Sequence, residues 1–149
     1  MELKGILAIS GKPGLYKMLS QGKSSIIVEG FEDKKRFPVY TAHNISALEE
    51  ISIYTETEDV PLVNVFKSIF DITEGKEAIT HKSSRNQLEE FFSKVLPDYD
   101  EERVYISDIK KIIQWYNILY RNGLMVFEEE KEVESTDEEP KDEKQNGED

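Results

Sequence analysis

The sequence predicts an α+β fold in three parts: a small SH3-like β-barrel over residues 1–57, a three-helix bundle-like domain over residues 58–127, and a disordered acidic tail over residues 128–149. Three observations predict it. Short runs with β-branched residues, broken by Gly, Pro and Ser turns, fill the first part. Apolar residues at helical spacing fill the second. Beyond Phe127 the only large apolar residue is Val133, so burial cannot offset the roughly 1–2 kcal/mol per residue that ordering a backbone costs.

The first expected strand, Leu3 to Ser10, runs into Gly11-Lys12-Pro13-Gly14, a turn in which proline presets one backbone angle and glycine permits positive ones. Leu15 to Ser20 and Ser25 to Glu29 read as a hairpin joined by a loop of about four residues. After the polar, turn-like stretch from Gly30, strand character returns from Arg36 to Thr41, where Pro38 argues for an edge. Asn44 to Leu48 suits one helical turn capped by Asn44, and Ile51, Ile53 and Tyr54 suit a last strand. About five short strands with a helical turn before the last fit an SH3-like barrel.

From Asp59 the period becomes helical. Asp59 is placed to cap a first helix with Pro61 in its first turn, Leu62, Phe66, Ile69 and Phe70 on one face, and Gly75 at its end. Ser84 and Gln87 have capping-box spacing for a second helix, which buries Leu88, Phe91, Phe92 and Val95 before Pro97. Ser107 or Asp108 caps a third, with Ile109, Ile112, Ile113, Tyr116, Leu119 and Tyr120 on its face and Gly123 at its end. Leu124, Val126 and Phe127 are expected to pack back on the body. Trp115 lies beside the main stripe and is expected to face the barrel.

Charge is distributed unevenly. Residues 128–149 hold 12 of the 31 acidic and 3 of the 19 basic side chains, so this segment carries −9 of the net −12 and the remainder carries −3. A near-neutral body argues against a surface built mainly for nucleic-acid phosphates. Local basic groups do occur: Lys34-Lys35-Arg36, then Lys76, His81, Lys82 and Arg85, then Lys110-Lys111. With no cysteine, disulfides, thiol catalysis and cysteine-bound metal centres are excluded. The longest early apolar run, Ile6 to Ile9, is far too short for a signal peptide, and no later segment approaches a membrane span; a cytoplasmic protein with no membrane partner is expected.

No motif carries chemistry. Gly22-Lys23-Ser24 resembles the end of a P-loop, but Lys17 stands where that motif needs glycine. Gly11-Lys12 fails too, because Gly5 is one residue too far upstream and Pro13 replaces the magnesium-binding hydroxyl. His43 and His81 lie far apart without partners at metal-ligand spacing. No serine sits in a Gly-x-Ser-x-Gly elbow. Glu49-Glu50, Glu89-Glu90 and Glu101-Glu102 are neighbours in sequence, which alone does not make them converge on a substrate. No catalytic residue, cofactor or metal ligand is therefore assigned.

Leu3-Lys4-Gly5-Ile6-Leu7, Ile9-Ser10-Gly11-Lys12-Pro13-Gly14-Leu15-Tyr16-Lys17, Ile27-Val28-Glu29, and Ile53-Tyr54-Thr55 before Val60-Pro61-Leu62 resemble a family of small bacterial proteins known as a domain of unknown function. The resemblance covers both folded parts and stops at the tail. It implies an SH3-like N-terminal part and a helical, winged-helix-like C-terminal part, and supplies no activity. The expected function is a non-catalytic protein-interaction or adaptor module, with the Ser10 to Tyr16 and Phe31 to Arg36 loops as its surface. The alternative is a nucleic-acid-associated regulator using the third helix and Lys34 to Arg36.

Overall fold

The computed structural model describes residues 1–40 and 44–127. The expectations for His43, for Thr41 at the end of the fourth strand and for the acidic tail fall outside the described residues. Five antiparallel strands form one sheet in the order β4-β3-β2-β1-β5, with β1 Ile6–Ile9, β2 Tyr16–Gln21, β3 Ser25–Gly30, β4 Arg36–Tyr40 and β5 Ile45–Ala47. A 3₁₀ turn, Leu48–Glu50, leads to a two-stranded sheet of β6 Ser52–Tyr54 and β7 Asp59–Pro61. Helices α1 Leu62–Ile72, α2 Arg85–Val95 and α3 Ile106–Arg121 follow.

Strand β1, flanked by β2 and β5, is apolar throughout because both of its faces are buried. Ile6 and Ala8 join the large core shared with the helices, while Leu7 and Ile9 join a second cluster with Tyr16, Val28 and Val39. Every strand of the sheet contributes to that second cluster, so one face of the sheet packs on itself. The other face lies on the helices, with Leu3, Ile6, Leu15 and Phe31 in one continuous core with Phe66, Leu88, Phe92 and Tyr116. The two parts expected from the sequence therefore share a single hydrophobic interior.

The closed barrel is not present among the described residues. β5 returns to pair with β1, as closure requires, but β4 and β5 are the two edges of an open sheet. Pro38 does lie on the edge strand β4, where its missing N–H costs no ladder bond to β3.

Four boundaries also differ. The fifth strand is Ile45–Ala47, not Ile51 to Tyr54, because Ile45 and Ala47 align with Ile9 and Leu7 and complete the second cluster. The helical turn follows that strand, and Ser52–Tyr54 instead pairs with Asp59–Pro61. Asp59 is thus a strand residue and caps nothing: α1 starts after Pro61, where the Leu62 N–H donates to the Ile51 carbonyl at 2.9 Å. α3 starts at Ile106, and Asp108 caps it from inside by accepting the Tyr105 N–H at 2.9 Å.

The remaining helix signals are realised. The Ser84 and Gln87 capping box is complete at the start of α2. After α3, Gly123 has φ +75, and the Leu124 N–H donates to the Leu119 carbonyl at 3.0 Å. In the closing segment Phe127 packs on Phe70 with ring centroids 5.1 Å apart and Met125 is buried, whereas Leu124 and Val126 turn outward.

Candidate functional site

The Ser10–Gly14 turn projects from the end of β1 beside α3. Gly11 and Gly14 both have positive φ, +83 and +85, a region open to glycine at no steric cost. The turn is tied down at three points. Ser10 N–H donates to the Asn44 carbonyl at 2.9 Å, Lys12 N–H donates to the Ile9 carbonyl at 3.0 Å, and the Tyr16 hydroxyl donates to the Pro13 carbonyl at 3.1 Å. The Tyr16 ring stands edge-on to Phe37 at 5.6 Å, and the Lys12 ammonium lies 5.1 Å from the centroid of that same Phe37 ring.

Between this turn, the ends of β1 and β5, and α3 lies a cleft of ≈ 400 Å³. Its wall on α3 is Lys111, Gln114 and Trp115; opposite stand Ser10, Lys12, Asn44 and Ser46. No carboxylate is among the described residues that line it. A second hollow of ≈ 230 Å³, walled mainly by Ile51, Ile53, Tyr54, Val104 and Ile112, with Arg103 and Asp108 as its other charged lining, shares Lys111 and Trp115 with the first. The two hollows thus meet across one turn of α3, one with two lysines and no carboxylate among its described lining residues, the other mainly apolar but carrying Arg103 and the Asp108 carboxylate.

Arg103 also lines the apolar hollow. Its guanidinium lies 4.1 Å from the Tyr54 ring centroid and 2.8 Å from the Asp100 carboxylate. That hydrogen bond from Arg103, reinforced by the Glu102 N–H, holds the Asp100 carboxyl below its ordinary range. All four arginines of the chain are engaged in this manner: Arg36 with Glu29 at 3.2 Å, Arg85 with Glu89 at 3.0 Å, and Arg121 with Glu77 at 3.1 Å and Glu32 at 3.5 Å. Lys12 and Lys111, in contrast, form no ion pair among the described residues.

The other sequence candidates fall elsewhere. The Phe31 to Arg36 loop is partly tied to the end of α3, through Glu32 to Arg121 and through the Lys34 ammonium, which donates to Asn122 Oδ1 at 3.3 Å. His81, between α1 and α2, faces Lys82, Arg121 and Lys110; burial first, and then these three cations, push its imidazole below the ordinary value. Lys110 and Lys111, adjacent in sequence, therefore serve different surfaces. Glu89, Glu90 and Glu101 do reach one polar hollow of ≈ 430 Å³ with Tyr99 and Ser93, a convergence that neighbour spacing does not reveal. There Ser93 already donates to the Glu89 carbonyl at 2.9 Å, and burial, with Glu101 and Glu89, raises the Tyr99 hydroxyl. Glu49 and Glu50 sit in the 3₁₀ turn.

Trp115 lies where its place beside the stripe implied, against the sheet. Tyr116 is fully buried core. Asn117 was not anticipated: although only 3% exposed, it sits on α3 among apolar neighbours and nothing in the sequence marks it apart from an amide on a buried face.

Residues 3–48 match a family described as a domain of unknown function (DUF5606), and residues 51–119 match a second, also a domain of unknown function (DUF6852). No curated protein matches the chain. The solution NMR structure of a Northeast Structural Genomics Consortium target from Bacteroides vulgatus is similar to this chain, with 44% identity, a TM-score of 0.71, and coverage of 93% of this chain and 99% of that one. The two family matches meet at residues 48–51, where the 3₁₀ turn separates the five-stranded sheet from the β6–β7 hairpin.

Proposed function

This chain belongs to the family of small proteins that joins a DUF5606 part to a DUF6852 part, and from that premise we propose that it is a non-catalytic protein-interaction module. Its binding surface is the paired hollow across Lys111 and Trp115. Its ligand is an extended segment of a partner protein that carries carboxylates beside a large apolar side chain. One observation carries the proposal: a cleft with two lysines and no carboxylate among its described lining residues stands on a body whose own net charge is −3. Such local charge favours an anionic group by complementarity, and the adjoining apolar hollow supplies the buried contact that gives affinity.

The nucleic-acid reading has weaker support. Phosphate recognition relies on available arginine and lysine, and every arginine here is already opposed by a carboxylate. An enzymatic reading would have to use the hollow lined by Glu89, Glu90 and Glu101, where Glu89 is held by Arg85 and the Ser93 hydroxyl by backbone. An SH3-like barrel opened between β4 and β5 is supported by the return of β5 to β1. The β6–β7 hairpin spans the expected division near residue 57. Bacterial origin is supported by the Bacteroides relative. Among the described residues no helix is long and apolar enough to cross a membrane.

Trp115 is the only tryptophan of the chain, so its fluorescence reports on the site directly. Titrating the full chain with a Glu-rich synthetic peptide carrying one Phe is expected to shift Trp115 emission saturably, and its Lys-rich counterpart to leave it unchanged. Equal response to both peptides, or to neither, would overturn the proposal. Binding of duplex DNA at low salt with no peptide response would favour the nucleic-acid reading.

A further inference from the structure

We propose that the chain's own acidic tail, residues 128–149, occupies the cationic cleft at Lys12 and Lys111 and competes there with an external partner. This uses the site of the interaction reading but names a different occupant. The tail carries −9, while the cleft has two lysines without ion pairs and no carboxylate among its described lining residues. The cationic patch around His81 is less favourable to it. Around His81, Lys82 and Lys110, the arginine at hand, Arg121, is already shared between Glu77 and Glu32, and an incoming acidic segment would meet those carboxylates.

Reach is not limiting. The described chain ends at Phe127, packed on Phe70, and 22 residues follow it. At about 3.3 Å per residue they span up to roughly 70 Å, against a radius of gyration of about 14 Å for a body of this size. Tethering places the tail near its site at an effective concentration of about millimolar, enough for a weak electrostatic contact to be populated. The tail has only Val133 as a large apolar residue, so it satisfies the lysines and leaves the hollow at Tyr54 and Ile112 unfilled. A partner segment with both carboxylates and an apolar anchor would therefore displace it. The tail thereby raises the threshold for binding and selects against ligands that offer charge alone.

The chain has no cysteine, so a single Ser135→Cys substitution in the full chain accepts a nitroxide label at one position. The expected result is paramagnetic broadening strongest at the Trp115 indole N–H and at the Lys12 and Lys111 amides. It should be lost at about 1 M NaCl, where the screening length is about 3 Å, and in the Lys12→Glu, Lys111→Glu double variant. Both lysines are exposed, and an unchanged amide spectrum elsewhere checks that the variant is folded. Broadening centred on His81 and Lys82, broadening that survives charge reversal, or none at all would overturn the inference. If broadening is absent while the Glu-rich peptide still shifts Trp115 emission, the tail is not the occupant and the interaction reading stands. If the peptide fails as well, both fall.

Discussion

Asn117 holds the backbone at Ala78 from across the fold. Its Oδ1 accepts the Ala78 N–H at 2.8 Å while its Nδ2 donates to the Ile79 carbonyl at 3.1 Å, so one buried amide pins the α1–α2 connection to α3. Replacing it by alanine leaves both backbone groups without these partners in a half-buried setting. Asn117→Ala is expected to destabilise the fold by about 2 kcal/mol. Urea denaturation followed by circular dichroism checks this, and a loss below about 0.5 kcal/mol would show that water replaces the amide.

The shared interior makes a second prediction. Leu15 and Phe92 belong to one core although they lie on opposite sides of the expected boundary near residue 57, and Phe92 is packed edge-on against Tyr99 at 4.9 Å. Leu15→Ala is expected to cost about 2–5 kcal/mol and Phe92→Ala about 3–5 kcal/mol. Each should lower the same single transition, with far-ultraviolet dichroism and Trp115 fluorescence coincident. Two separated transitions would mean that the sheet and the helices fold independently.

Much of this was legible because local rules governed it. The hairpin of β2 and β3, the Ser84–Gln87 box and the Gly123 terminus are decided by residues within a few positions of one another, and each formed as the pattern implied. The errors arose where distant partners decided the outcome. Ile45 and Ala47 became a strand because Ile9 and Leu7 offered them a buried face, and Asp59 was drawn into pairing with Tyr54. The site was only half legible. Trp115 and the Ser10 to Tyr16 loop could be named separately, but their meeting across a cleft depends on how α3 lies on the sheet, which no local pattern states.

The capping box offers a local test. Ser84 Oγ accepts the Gln87 N–H at 3.2 Å while Gln87 Oε1 accepts the Ser84 N–H at 3.1 Å. Ser84→Ala is expected to lower stability by about 1 kcal/mol, and Ser84→Asp to retain most of it. Equal losses in both variants, read by denaturant midpoint, would show that the cap contributes through its shape and not its acceptor.

His81 gives a pH dependence with a definite sign. Burial, then Lys82, Arg121 and Lys110, lower its pKa in the folded chain, so the unfolded chain binds the proton more readily. Stability from this group is full above the unfolded value of about 6.5 and declines as pH falls below it toward the folded value. His81→Asn should flatten that decline, and Lys110→Gln should raise the His81 titration midpoint seen by NMR. A midpoint above the unfolded value would reverse the sign and contradict the assignment.

In the proposed interaction the charge of Lys111 selects an acidic partner segment at a site walled by Trp115. The most direct measurement is the affinity of full-length wild type and Lys111→Glu for the same Glu-rich, Phe-bearing peptide and for its Lys-rich counterpart. Charge reversal is predicted to weaken the acidic peptide by at least about tenfold, roughly 1.4 kcal/mol, and to bring the basic peptide into measurable binding. Unchanged affinity for the acidic peptide in the variant would rule out this role for Lys111.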